Sequence, residues 1–163
     1  MKPSLTLWFD YLSGTDLGDL AAGDNGTFNT LFDTGHKYYG LMDFFIHGSL
    51  GSLGSHPLGG LVDYAIKASI QPMANTTLKV DWHLFTVAED DVCGTCTPGG
   101  SNPETLGNEV DITLVHKYSP STKIVVGYSH MFSNELLSNY NGGARVTDFE
   151  DADWLYVMFD VMF

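Results

Sequence analysis

A few residues in this chain have the types and spacing to do chemistry. Asp81 and His83 stand two apart, so on an extended strand they share a face and could pass a proton. Ser129 and His130 are adjacent. Neighbours on a strand point to opposite faces, which excludes a Ser–His dyad there. No nucleophile with a placed base accompanies the Asp81/His83 pair, so no enzyme is read from it. Cys93 and Cys96 form a Cys-x-x-Cys. One pair cannot build a four-ligand zinc site. That leaves a local disulfide or a redox pair, and a redox pair needs a helix N-terminus to favour the thiolate. Asp16, Asp19, Asp24, Asn25 and Asp33 supply the oxygen ligands that Ca²⁺ takes. Their spacing departs from the EF-hand pattern, so a solvated acidic loop is the plainer reading and no cofactor is expected.

The elements that must position these residues read as strands. From Ser4 to Leu12, Leu5, Leu7, Phe9 and Tyr11 alternate with Thr6, Trp8 and Asp10. Val62, Tyr64, Ile66, Ala68 and Ile70 oppose Asp63, Lys67 and Ser69. Leu78, Val80, Trp82 and Leu84 oppose Lys79, Asp81 and His83. Val110, Ile112, Leu114 and Tyr118 oppose Glu109, Asp111, Thr113 and Lys117. Lys123 is followed by Ile124, Val126, Tyr128, His130 and Phe132 on one face. Leu155, Val157, Phe159, Val161 and Phe163 make the last apolar face, with Asp160 opposite. Period-2 alternation of this kind marks half-buried strands. The expected strands lie near 4–12, 60–71, 76–88, 106–118, 122–132 and 153–163. The aromatic stretch 37–47 is either a seventh strand or an ordered piece of a loop.

Composition agrees with β structure. The 163 residues include ten Phe, eight Tyr, three Trp and eighteen Gly, a mixture poor in helix formers. Seven Lys and Arg against twenty Asp and Glu give a formal charge of −13. That excludes a sequence-independent nucleic-acid binder, which needs clustered cations to displace counterions. It also argues against adsorption to an anionic membrane surface. A content of 44% hydrophobic and 17% charged residues is that of a folding chain rather than a disordered one. No apolar run is long enough for a transmembrane helix.

The connections are uneven. Turns near Pro72 and Pro120 are short, whereas 13–60, 88–105 and 133–152 are long and polar. Alternating short and long connections between strands of about ten residues describe a transmembrane β-barrel with short periplasmic turns and long extracellular loops. A soluble sandwich or lipocalin-like ligand-binding barrel also alternates. Its inner faces, however, would need a packed apolar core where this chain carries charge in mid-strand. The apolar faces also end in Tyr, Trp or Phe, as an interfacial girdle does.

Several stretches resemble the alginate-export-like family of bacterial outer-membrane β-barrels, in its C-terminal part. They are FDYLSGTD (9–16), FNTLFDTGHKYYG (28–40), LGNEVDITL (106–114) and GYSHMF (127–132). The second is the most specific, and the resemblance covers nearly the whole chain. The ending YVMFDVMF (156–163), with Tyr156, Phe159 and Phe163, looks like the signal that barrel-assembly machinery reads. The resemblance implies an outer-membrane porin or exporter, a large pore of about eighteen strands. The chain itself provides about six to eight strands of an antiparallel up-and-down barrel, short of closure. Lipid cannot satisfy the two edges this leaves. The expectation is therefore a piece of a larger barrel, lacking its signal peptide and N-terminal strands, with homo-oligomeric closure as the alternative. In the oxidising cell envelope, Cys93 and Cys96 are expected to form a local disulfide.

With the apolar faces toward lipid, the residues expected to line the lumen are Asp10, Asp63, Lys67, Lys79, Asp81, His83, Glu109, Asp111, Lys117, Lys123 and Asp160. The four lysines should crowd the periplasmic mouth, Lys67 near Lys79 and Lys117 near Lys123, with the acids nearer mid-barrel. Such a wall either filters anions or simply pairs its charges across strands. Alginate transporters would be expected to line their pore with arginines. The only Arg here is Arg145, in a loop, which argues against a strongly anionic cargo. His36, Lys37, Tyr38, Tyr39 and Asp43 would line a constriction if the long loop folds inward, or else pack against the rim. The partners implied are outer-membrane lipid, the assembly machinery and a small or oligosaccharide solute. A non-conducting barrel serving as adhesin or anchor is the alternative. Coding sequence upstream of Met1 is expected to carry a signal peptide and further alternating strands. A promoter and stop codon there would overturn that expectation.

Overall fold

The computed structural model describes residues 2–28, 38–45, 59–89, 105–134 and 151–163. Six strands form one antiparallel sheet in chain order: β1 (Ser4–Leu12), β2 (Leu61–Met73), β3 (Thr76–Thr86), β4 (Thr105–Ser119), β5 (Thr122–Ser133) and β6 (Ala152–Val161). The all-β, up-and-down architecture is the one the alternation predicts. The sheet is open, with β1 and β6 as its edges. Its lower end holds the short β2–β3 and β4–β5 turns, and its upper end receives the long connections.

The turn chemistry is legible locally. Asn75 takes a left-handed φ of 64°, a conformation Asn tolerates. Its carbonyl accepts from the Lys117 amide at 2.8 Å, tying the turn to β4. β2 runs on to Met73, past the expected end near residue 71. Pro72 lacks an N–H, and the ladder slips between Ile70 and Met73, where a bulge accommodates it.

Two segments depart from expectation. The acidic stretch after β1 forms a short helix, α1 (Leu17–Ala22). Asp16 caps it by accepting from the Asp19 amide at 2.7 Å, and Gly23 closes it at φ 89°. The described part of the candidate strand 37–47, residues 38–45, is a series of turns and no strand. Gly40 at φ 81° and Asp43 at φ 59° take left-handed backbone that an extended ladder cannot hold. The alternative reading, an ordered piece of a loop, is what this segment shows.

The register assigns each residue to a face. The face carrying Leu5, Leu7, Ile66, Ile112, Leu155 and Phe159 is apolar and bare, with Leu7 76% and Phe159 67% exposed. The opposite face carries most of the charges, Asp153 beside His130 being an exception, and its upper part is covered by residues 38–45. Between that segment and the sheet lies the core, built from Leu12, Tyr39, Phe45, Leu61, Phe85, Val87, Leu106 and Met131. The Phe45 and Phe85 rings meet at 4.4 Å between centroids, and neither is exposed. Truncating Phe85 to Ala should cost about 3–5 kcal/mol, because the cavity opens in the packed core of the described residues. A urea titration reads this as a lowered unfolding midpoint.

Candidate functional site on the polar face

The polar face is a grid set by the ladders. Its middle row runs Thr6, Lys67, Asp81, Asp111, Ser129 and Trp154 in register across the six strands. One step up are Trp8, Ala65, His83, Glu109, Met131 and Ala152. Above those stand Asp10, Asp63, Phe85, Gly107 and Ser133. One step below the middle are Ser4, Ser69, Lys79, Thr113, Gly127 and Tyr156. At the bottom Lys117, Lys123 and Asp160 stand side by side. All eleven residues proposed from sequence to share a face do so by register.

Their heights differ from expectation in three places. Asp10 and Asp63 lie near the upper rim rather than mid-sheet, because each sits two residues from the upper strand end. Lys67 stands in the middle row opposite Asp81, while Lys79 faces Ser69, so these two lysines are not cross-strand partners. Lys117 and Lys123 do face each other, and Lys123 donates to Asp160 at 2.7 Å. That pair is more than a third exposed on both sides, so its contribution to stability is small.

The upper grid is buried and hydrogen-bonded. His83 pairs across the strands with Asp63, not along its own strand with Asp81. Its Nδ1 donates to both Asp63 oxygens at 2.9 and 3.0 Å, with both side chains inaccessible. Ser129 donates to Asp111 Oδ1 at 2.5 Å. His130 faces the other way and bonds Asp153 at 2.8 Å, as the absence of a Ser–His dyad requires. The Trp8 indole N–H donates to Asp10 at 2.8 Å, and Lys67 lies over the Trp8 ring at 5.4 Å.

Residues 38–45 are latched onto this grid through their backbone. The Met42 amide donates to Glu109 Oε1 at 2.9 Å, and the Leu41 amide to Asp111 Oδ2 at 3.3 Å. Gly40 makes the approach feasible, since a Cβ there would stand 2.6 Å from the Glu109 carboxylate. Tyr38 reaches Trp8 at 5.8 Å between centroids. Burying carboxylates is costly unless their oxygens find donors. Main-chain N–H groups reach one oxygen of each acid, and Glu109 Oε2 is buried with no partner among the described residues. The pattern of alternating strands revealed the acids but not the amides that meet them.

Of the other sequence-predicted residues, Tyr38, Tyr39 and Asp43 fall in this latched segment. His36, Lys37, Asp33, Cys93, Cys96 and Arg145 lie outside the described residues. Asp16 serves as the α1 cap, and the Asn25 side chain accepts from the Thr15 hydroxyl at 3.1 Å. Among the described residues no three His, Cys, Asp or Glu side chains converge as a metal site would require. Within the expected terminal assembly signal, Tyr156 faces the polar side, with the parity of Asp160, and Phe159 faces the apolar side. Selecting lumen candidates by charge also passed over Trp8, Trp154 and Ser129, which occupy the same grid.

Comparison with protein-family models, with curated proteins and with solved structures finds no match to the chain.

The latch gives a direct expectation. Glu109→Leu removes the acceptor of a buried amide and should cost about 1–3 kcal/mol, whereas Glu109→Gln keeps a carbonyl oxygen there and should cost less. Amide hydrogen exchange at Met42 should accelerate in the first variant by roughly ten- to a hundredfold and stay near wild type in the second.

Proposed function

We propose that the chain is a sector of a bacterial outer-membrane β-barrel whose polar face lines a channel for small solutes or oligosaccharides, as in the alginate-export-like family it resembles. One observation carries this reading. The sheet is inverted relative to a protein built for water, with Leu7 76% exposed on one side while Asp63, Glu109 and Asp111 are at most 2% exposed on the other. A contiguous apolar face of this size on a water-soluble monomer would be an association patch. Against lipid the same face is satisfied, and the polar side becomes the wall of an aqueous lumen. The strands of 9 to 15 residues suit a tilted crossing. The open edges at β1 and β6 must then be paired, by further strands of the protein or by another copy, since lipid offers no hydrogen bonds. On the same reading, Phe159 on the apolar face and the terminal Phe163 are what barrel-assembly machinery engages.

The balance of charge fits a weakly selective pore. Lysines and acids are mixed over the middle and lower grid, Lys67, Lys79, Lys117 and Lys123 with Asp81, Asp111 and Asp160, and no arginine cluster marks the wall. A second reading, a non-conducting barrel acting as adhesin or anchor, draws on the latch, because residues 38–45 cover the upper wall and could close the lumen. Conductance decides between the two. The native protein in planar bilayers should open steps of current, and silence at every voltage would leave the anchor reading standing.

The lipid-facing assignment has its own test. Ile112 lies midway along β4 on the apolar face. Ile112→Lys should lower stability in phospholipid vesicles by about 2–4 kcal/mol if that face meets the bilayer core. In water a surface change of this kind stays within about 0.5 kcal/mol. Urea unfolding followed by tryptophan fluorescence separates the two values.

A further inference from the structure

The polar face carries an aromatic feature that the latch does not use. Trp154 and Tyr156 are both half-buried on that side of β6, 4.6 Å apart between centroids and inclined at 30°. Tyr156 is folded flat against the sheet over Gly127, its in-register partner. A Cβ at position 127 would overlap the phenol ring, so glycine there is what lets the ring lie down. Further down the same strand, the Lys123–Asp160 ion pair offers donors and acceptors, four residues or about 13 Å beyond Tyr156. The order along β6 is thus two ring faces, then a polar pair, running in the direction a solute would travel.

We propose that Trp154 and Tyr156 form a stacking rail for a neutral oligosaccharide, with the Lys123–Asp160 pair as its polar lower contact. The proposal rests on the channel reading and names its substrate class. A hexose ring presents a face of C–H groups with partial positive charge, which sits on the negative face of an aromatic ring. Its hydroxyls then bond to polar groups at the rim of the stack. Neutrality follows from the surroundings. In the two rows that hold the rail, Lys67 and Lys79 are matched by Asp81 and Asp111, so neither an anionic nor a cationic chain meets an excess of countercharge. A flat ring pair also tolerates sliding, because every sugar unit offers the same C–H face.

The test is calorimetric titration of the native protein in detergent with maltohexaose, beside a hexauronate of equal length, and bilayer current with the same sugars. Saturable maltohexaose binding is expected. Trp154→Leu keeps apolar bulk without the π face and should weaken it about tenfold, whereas Trp154→Phe should stay within about threefold. Heat-modifiable migration on a gel confirms that each variant is folded. Binding with no conductance supports the rail and defeats the channel. Conductance with no maltohexaose binding, or a folded Trp154→Leu variant that binds like wild type, overturns the rail and leaves the channel standing. Hexauronate binding as tight as maltohexaose overturns the neutral assignment.

Discussion

The pleat of the strands is the constraint on which this structure depends. Side chains alternate between two faces, so the sequence can make one face largely apolar, with the His130–Asp153 pair near its upper end, and the other polar. Here the alternation holds through all six strands, and the ladders bring like parity together from edge to edge. A slip of one residue in any strand would send its charges into the apolar face. The register is therefore fixed by the surroundings of both faces at once. The bulges sit near strand ends, between Ile70 and Met73, between Phe85 and Thr86 and between Lys117 and Ser119, where they disturb neither face at its centre.

A polar face needs something to satisfy it. In the lower half, side-chain pairs such as Lys123 with Asp160 do this while staying open to solvent. In the upper half the chain covers its own charges. Residues 38–45 bring two backbone amides onto Glu109 and Asp111, and an aromatic cluster around Phe45 and Phe85 closes over them. The aromatic contacts supply apolar burial, and the amides satisfy one oxygen of each acid, leaving Glu109 Oε2 buried without a partner among the described residues. Either alone would be weaker, since an unsatisfied buried acid offsets much of what a buried Phe contributes.

How much of this was legible depends on the range of the signal. Strand positions, their order and the common face of the eleven charged residues follow from spacing two apart, which is local. The His83–Asp63 pair did not, because it depends on the offset between β2 and β3. Sequence placed His83 with Asp81 on its own strand, and a one-row shift across the ladder gave it Asp63 instead. Helix α1 was missed among acidic loop residues, although Asp16 followed three residues later by Asp19 is a capping pattern. The stretch 38–45 was ambiguous because its aromatics suit a strand while Gly40 suits a turn, and the backbone conformation of Gly40 and Asp43 decided it. The face of Trp154 and Tyr156 follows from parity alone, whereas their ring contact depends on side-chain conformation that spacing does not encode.

The latch and the aromatic rail also divide the wall between them. The segment 38–45 touches β1 through Trp8, β3 through Phe85 and β4 through Glu109 and Asp111. The rail lies on β6, at the other edge of the sheet. On the proposed barrel reading, the latched loop narrows the lumen over β1, β3 and β4, and the rail stands apart from it on β6. The residues there are those whose polar needs the loop does not meet. Aromatic faces need no hydrogen-bond partner, so they can stand open to water at little cost and still offer a surface to a passing solute. The wall would then be specialised along its width: carboxylates where main-chain amides arrive, and rings on β6.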